Sequence, residues 1–276
     1  MPVPTWAIAG YLVGAFEVVM PLLVAAFVWR RLHTSWRYFG YGALIFFLFQ
    51  IATRVPITQL LQIAAAPQLA ASPTTVWAWL AFLALTAGLF EELGRYIGYR
   101  TLLRRDPKTW DRAIMYGLGH GGLESMLLIG GGTILTIYSL SSLAANGLES
   151  LPPEQRAAAT QGLEAVSAQP TWVWLLGAWE RVCALAIQTS LSVLVLQVFV
   201  RGGLGWLGLA ILAHTLVDGV AVGVPQAFGV GEGRAGGAVV TEALLTLLAA
   251  GAVWVIWRLR QPPAQMASNE APEPAS

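Results

Sequence analysis

The segment VWAWLAFLALTAGLFEELGRYIGY, residues 76–99, is long enough and apolar enough to cross a lipid bilayer. It nevertheless contains Glu91, Glu92 and Arg95, and charged residues are rare inside a spanning helix. The whole chain shares this apolar character, because 56% of its 276 residues are hydrophobic and only 11% are charged. About 25% of the residues of a soluble domain are charged. With a mean hydropathy of +0.63, the chain is expected to be an integral membrane protein.

Seven apolar segments, separated by charge clusters, proline and glycine, predict seven transmembrane helices. They cover residues 6–29, 39–63, 76–99, 112–138, 171–199, 204–226 and 237–257. This pattern predicts an all-α polytopic helix bundle that forms a single domain over residues 1–260, with its functional core at 76–226. Residues 261–276 are rich in proline and lack apolar periodicity, so we expect a disordered cytoplasmic tail there.

Basic residues outside the spans fall almost entirely on one side of the predicted bundle. That side has Arg30, Arg31, Arg37, Arg100, Arg104, Arg105, Lys108, Arg112, Arg201, Arg258 and Arg260, and the other side has Arg156 and Arg234. The positive-inside rule therefore places the N-terminus outside and the C-terminus in the cytoplasm. The first span lacks the positive leader of a secretory signal and is expected to remain uncleaved. Together with the short loops, this fits a bacterial inner (cytoplasmic) membrane.

Twelve ionisable residues lie inside the predicted spans, where a charge at the bilayer centre costs roughly 2.5–3.5 kcal/mol. They are Glu17, Arg54, Glu91, Glu92, Arg95, His120, Glu124, Glu180, Arg181, His214, Asp218 and Glu242. At 1.5 Å per residue, Glu91, His120 and His214 lie about 12–15 Å from the basic side on three different helices. Glu124 and Asp218 lie about one turn deeper. We therefore expect a small polar site in the cytoplasmic half of the bundle.

Polar residues within each of these helices are spaced so that they share a face. The pairs separated by four residues are Glu91 with Arg95, His120 with Glu124, and His214 with Asp218. A desolvated Glu91 next to an arginine could act as a general base that activates water. His214 and Asp218 could polarise a carbonyl group and stabilise the oxyanion. This combination favours hydrolysis of an amide.

Three motifs in this layer resemble those of a known clan of membrane proteins. EELGR at 91–95, GHGGLE at 119–124 and HTLVD at 214–218 are similar in order and spacing to the motifs of the CPBP clan. That clan contains the type II CAAX prenyl endopeptidases and the PrsW-type proteases, and the sequence most resembles its YhfC-like intramembrane proteases. The resemblance covers the third to the sixth span. It implies an intramembrane endopeptidase that cleaves a membrane-anchored or prenylated peptide or protein.

The resemblance also implies roles for individual residues. Glu91 matches the water-activating glutamate of the clan, Glu92 its partner in the double-Glu motif, and Arg95 its basic companion. His214 matches the histidine of the third motif. These four residues, with His120, Glu124 and Asp218, form the predicted catalytic set.

The sequence departs from the CAAX-type pattern at three positions. Arg95 lies one residue earlier than the arginine of that pattern, and Asp218 stands where it has asparagine. Glu124 stands where it has histidine, with His120 one turn before, so which of the two assists the water stays open.

Clan members are described as metalloproteases or as glutamic-type proteases, and no cofactor is certain. If a divalent metal such as zinc is needed, its expected ligands are Glu91, His120, Glu124 and His214.

Two functions other than a peptidase are compatible with these residues. A proton-coupled transporter or channel could use the same Glu, His and Asp residues as a relay, and a non-catalytic scaffold could have kept them. Polar residues that continue across the bilayer would favour a transporter, whereas one layer of Glu91, His120 and His214 favours a reaction centre.

The net charge of +1 gives no basic excess for binding nucleic acid. The single cysteine, Cys183, excludes an intrachain disulfide framework.

Overall fold

Every regular element in the described part of the chain is a helix. The structure is a computed structural model that describes residues 4–168, 170–229 and 233–260. Within those ranges there are no strands, and seven helical segments are long and apolar enough to cross a membrane. The predicted all-α bundle with seven spans is therefore confirmed. The predicted tail at 261–276 lies outside the described residues.

The helices have the following bounds. They are α1 (Thr5–Leu32), α2 (Arg37–Phe46), α3 (Val55–Ala71), α4 (Pro73–Thr101), α5 (Trp110–Leu123), α6 (Gly131–Asn146), α7 (Pro153–Ala168), α8 (Thr171–Val200), α9 (Gly205–Phe228) and α10 (Gly233–Arg258). A π-helical stretch, Phe47–Arg54, joins α2 to α3, and a second one, Glu124–Gly130, joins α5 to α6. Two of the seven spans are therefore composite helices.

The observed spans begin within three residues of their predicted starts, and five of them end within three residues of their predicted ends. The other two run seven or eight residues further than predicted. The second continues to Ala71 rather than residue 63, and the fourth to Ala145 rather than residue 138. Both are the composite helices with a π-helical stretch. The added segments read AAAPQLAA at 64–71 and SLSSLAA at 139–145, so they contain Pro67 and Gln68 in one and three serines in the other. Such residues mark the end of an apolar stretch in a hydropathy pattern, although the helix continues.

The basic loops meet at one end of the bundle, which we call the basic end. Its contacts include an ion pair between Arg37 and Asp106, a hydrogen bond from Thr34 Oγ1 to Asp111 Oδ2 (2.9 Å), and Arg260 stacked 5.4 Å from the ring centre of Trp110. These contacts join the loops after α1 and α4 to the end of α10. The basic residues of these loops therefore lie at one end of the bundle, as predicted from the sequence. The positive-inside rule predicts that this end faces the cytoplasm.

Helix α8 is the central helix of the bundle. In its most apolar stretch 72% of the residues are buried, against at most 33% in any other span. It packs on α5, α9 and α10 and also contacts α1 and α4. Since α4, α5 and α9 carry the three motifs, α8 is placed to link them.

Two glycines allow α2 and α5 to cross at very short range. A Cβ atom at Gly42 would collide with the Tyr116 carbonyl oxygen and lie 2.8 Å from the backbone nitrogen of His120. A Cβ atom at Gly119 would collide with the Phe39 carbonyl oxygen. Membrane helices use small residues in this way to bring backbones together. The crossing also fixes the position of His120.

Replacing Gly42 by alanine should destabilise the bundle. The added methyl group meets backbone atoms, which cannot rotate away, so we expect a loss of about 1–3 kcal/mol of unfolding free energy. The matched control is Gly40→Ala, because a Cβ atom at Gly40 meets no atom within 4 Å. Thermal unfolding in detergent is followed with a thiol-reactive dye, since the single cysteine, Cys183, is buried. Equal melting temperatures for the two variants would contradict the tight crossing.

Candidate active site

Helix α4 brings three charged residues into the interior of the bundle. The exposed fraction is 3% for Glu91 and 0% for both Glu92 and Arg95. Arg95 forms a hydrogen-bonded ion pair with Glu92, and its Nη2 atom lies 3.9 Å from Glu91 Oε2. The spacings of three and four residues place these groups on one face of the helix, as the sequence predicted. Two carboxylates next to one guanidinium leave an excess negative charge if both are ionised.

Two histidines from other helices converge on Glu91. Nε2 of His120, on α5, lies 2.9 Å from Glu91 Oε2, and Nε2 of His214, on α9, lies 3.8 Å from the same oxygen. Both imidazoles are buried, with exposed fractions of 0% and 2%. One carboxylate oxygen is thus the meeting point of three helices, in the layer that the depth count predicted.

The orientation of His214 is fixed by its second ring nitrogen. Its Nδ1 atom lies 2.6 Å from Glu92 Oε1, the same oxygen that pairs with Arg95. A carboxylate held by an arginine accepts hydrogen bonds, so Nδ1 carries the proton and donates it. The other ring nitrogen, Nε2, then lies between two carboxylates, 3.8 Å from Glu91 Oε2 and 3.7 Å from Asp218 Oδ1.

Gln188, on α8, is a site residue that sequence reasoning missed. Its Oε1 atom accepts a hydrogen bond from Arg95, and its Nε2 atom donates to Glu124 Oε2 at 2.6 Å and lies 3.5 Å from Glu91 Oε2. The sequence argument rested on the ionisable residues of the spans, and Gln188 carries no charge. The feature of the sequence that could have indicated Gln188 is its amide side chain inside an apolar stretch, because a buried polar group needs hydrogen-bond partners.

Glu124 faces away from His120, although the two are four residues apart. Its oxygens contact Gln188 and Arg181, whose Nη1 atom lies 3.2 Å from Glu124 Oε1. The backbone between the two residues is still α-helical, since the N–H group of Glu124 donates to the His120 carbonyl group. The side chain of Glu124 is held instead by its two partners on α8. In this structure it is His120, and not Glu124, that contacts Glu91.

A small cavity opens beside these residues between α8, α9 and α10. It has a volume of about 60 Å³ and its polar wall includes His214, Asp218, Glu124, Gln188 and Arg181. A cavity needs roughly 10–15 Å³ to hold one water molecule, so this one has space for water. The walls supply both hydrogen-bond donors and acceptors. The cavity can therefore bring water to His214.

The donor atoms around Glu91 have the chemistry of a metal site. Two imidazoles and one carboxylate form the ligand set of many catalytic zinc centres. The hydrogen bond from His214 Nδ1 to Glu92 is the contact that usually orients a metal-binding histidine. Among the described residues, no three His, Cys, Asp or Glu side chains already have the spacing of an assembled metal centre. The donor set fits a divalent metal, with His120 and Glu91 presently in direct contact.

The fold and the site define a polytopic membrane protein with a buried carboxylate–histidine centre. A family model described as "YhfC intramembrane metalloprotease" matches residues 16–233, a range that includes every predicted catalytic residue. The chain belongs to this family, as the motifs predicted.

A curated relative agrees with this assignment. The "Uncharacterized membrane protein YhfC" of Bacillus subtilis (strain 168) is 31% identical over 212 residues, which cover 76% of this chain and 81% of that protein. No solved structure matches the chain. The expected location as an integral membrane protein is confirmed by this relative and by the seven apolar helices.

Replacing Gln188 by leucine should destabilise the protein more than the same change at Gln197. Gln188 bonds to charged groups on two other elements, whereas Gln197, also buried on α8, donates only to the Val193 carbonyl group. Leaving buried charged partners unsatisfied costs about 1–3 kcal/mol or more. Thermal unfolding of both variants is measured with the thiol-reactive dye on Cys183. Equal losses would show that Gln188 does not link the charged residues.

Proposed function

We propose that the protein is a metal-dependent intramembrane endopeptidase with its reaction centre at Glu91, His120 and His214. The observation that carries this proposal is the convergence of two buried imidazoles from α5 and α9 on one carboxylate oxygen of α4. Membership of a family described as intramembrane metalloproteases supports a peptidase and a metal. A purely structural ion pair would need neither histidine.

His120, His214 and Glu91 would hold the metal through their Nε2 atoms and one carboxylate oxygen. When bound, zinc polarises a carbonyl group and lowers the pKa of water, which makes water a nucleophile at neutral pH. A carboxylate has two oxygen atoms, so Glu91 retains one that can accept a proton. Glu124 is not a ligand in this proposal, because both of its oxygens are engaged by Gln188 and Arg181.

The reaction needs a proton acceptor and a proton donor at the same place. Glu91 accepts a proton from water, whose oxygen forms a bond to the carbonyl carbon of the peptide. The C–N bond then breaks, and Glu91 passes the proton to the leaving nitrogen. The products are a carboxylic acid and an amine, so atoms and charge balance.

The remaining site residues hold this centre in position. Glu92 orients His214, and Arg95 neutralises Glu92. Gln188 ties Arg95 to Glu124 and thereby fixes α4 relative to α8. Asp218 lies beside His214 on the cavity wall, where both face a carbonyl group that enters the cavity.

The substrate in this proposal is a peptide segment anchored in the membrane. The cavity lies among α8, α9 and α10, inside the bundle, and its lining includes apolar side chains such as Ile187 and Leu191. A peptide bond reaches it only from a segment that already lies in the lipid. We further expect that the substrate carries a prenyl group. Comparing peptides with and without this group tests that expectation.

A second candidate function, a proton-coupled transporter, is favoured by one observation. Polar contacts continue from Arg95 through Gln188 and Glu124 to Arg181 and Glu180. Chains of this kind serve as proton relays in membrane proteins. The endopeptidase remains the better-supported function, because the relay does not account for the two imidazoles on Glu91.

Substituting any of the three central residues should abolish cleavage. We expect Glu91→Gln, His120→Ala and His214→Ala to lower kcat at least a hundredfold, because general acid–base groups contribute 10²–10⁴-fold. The matched control is His33→Asn, which removes the exposed third histidine at the end of α1. Purified protein is tested with membrane-anchored peptides, with and without a prenyl group.

Two results would contradict the endopeptidase. One is cleavage that is unchanged in Glu91→Gln and His214→Ala. The other is absence of cleavage together with a proton flux in liposomes that Glu91→Gln abolishes, which would establish the transporter instead.

Metal content gives an independent check on the ligands. We expect purified protein to contain about one zinc per chain, and His120→Ala and His214→Ala to lose it, because a catalytic site with three protein ligands binds weakly when one is removed. Glu124→Gln is the matched control and should retain the metal. Elemental analysis measures the content. Loss of zinc in Glu124→Gln but not in His120→Ala would assign the metal to different residues.

A further inference from the structure

A long apolar groove runs along the outside of the bundle on the side of α8 opposite the candidate active site. It has a volume of about 420 Å³ and is formed by α1, α5, α8 and α10, with Val24, Val28, Leu118 and Leu185 among its walls. Arg181 and Gln188 line the other cavity, whereas Val182, Leu185 and Ala186 line this groove. The two spaces are therefore separated by α8 itself.

The groove offers an occupant almost no hydrogen-bonding groups. Its two uncharged polar side chains are used internally, since Thr189 Oγ1 donates to the Leu185 carbonyl group (2.7 Å) and Trp110 Nε1 donates to the Ile256 carbonyl group (2.8 Å). An apolar space of this kind inside a bilayer fits an alkyl chain, because any polar occupant would leave its own groups unsatisfied.

The residues of the groove do not suit a packed protein helix. Interfaces between membrane helices are enriched in glycine, alanine, serine and threonine, which allow close approach. The groove has no glycine or serine, one alanine and one threonine, and most of its walls are large side chains such as Phe27 and Ile114. This contrasts with the glycine crossing of α2 and α5. A flexible chain fits such a surface better than a rigid helix does.

A positive charge stands at one end of the groove. Arg31, in the last turn of α1, lines the groove at the basic end and stacks over Phe27 at 5.5 Å. Within the described residues, no acidic side chain lies within ion-pair distance of Arg31. Asp111, next to Trp110, accepts a hydrogen bond from Thr34 instead. The guanidinium group is thus available to an anion at the membrane surface.

We propose that this groove binds an anionic phospholipid, with an acyl chain along α8 and the phosphate group on Arg31. The apolar walls recognise the chain, and the guanidinium group recognises the negative headgroup. The site lies behind α5 and α8, the helices that carry His120 and Gln188. The proposal does not rest on the proposed catalytic activity, because lipid binding is measured without a substrate.

The test is native mass spectrometry of the full chain, delipidated in detergent and titrated with phosphatidylglycerol or with phosphatidylcholine of the same acyl chains. We expect phosphatidylglycerol to bind more tightly. Arg31→Gln should weaken it about fivefold, the effect of one basic residue near an anionic headgroup, and should weaken phosphatidylcholine less, because choline balances the charge of its phosphate group. Arg30→Gln is the matched control, since Arg30 is exposed and does not line the groove.

A second variant tests the acyl-chain half of the site. Ala186→Trp fills the groove and should weaken both lipids, while the dye assay on Cys183 shows whether the variant is folded. Equal effects of Arg30→Gln and Arg31→Gln, or unchanged binding in folded Ala186→Trp, would overturn the proposal. So would a dimer that Ala186→Trp dissociates, because a second copy of the chain would then occupy the groove.

Discussion

The guanidinium group of Arg95 lies inside a bundle that stands in lipid, with no exposed surface, and it must be neutralised there. An unpaired charge in this environment costs several kcal/mol. Glu92 supplies the opposite charge and Gln188 supplies a neutral acceptor from another helix. Glu92 neutralises the charge within α4, but the guanidinium group has further N–H donors that need an acceptor from another helix, so α4 and α8 must pack in one arrangement.

The geometry of the candidate active site follows from this constraint. Because Glu92 is held by Arg95, its shared oxygen also orients His214, and α9 is thereby aligned with α4. Gly42 brings α2 against α5 and sets the position of His120, which completes the convergence on Glu91. The structural network and the reactive groups are the same residues. Substitutions at the site should therefore be judged for folding before they are judged for activity.

Much of this arrangement was predictable from the sequence, and the exceptions have physical causes. Hydropathy and basic residues predicted seven spans, and residue depth predicted that Glu91, His120 and His214 would share a layer. Gln188 was not predicted, because an amide carries no charge and no motif marks α8. The direction of Glu124 was not predicted either, because it depends on Gln188 and Arg181 of another helix and not on the spacing within its own. The CPBP clan and the catalytic roles stay predictions, whereas the family is established.

The central claim, that Arg95 and Glu92 act as one buried neutral unit, is tested most directly by a double-mutant cycle. The unfolding free energies of Arg95→Met, Glu92→Leu and the double variant are measured with the dye assay on Cys183. Each single variant removes the nearest opposite charge from a buried ion and should lose about 3–5 kcal/mol, whereas the double variant should lose far less than the sum. Losses that simply add would contradict the claim.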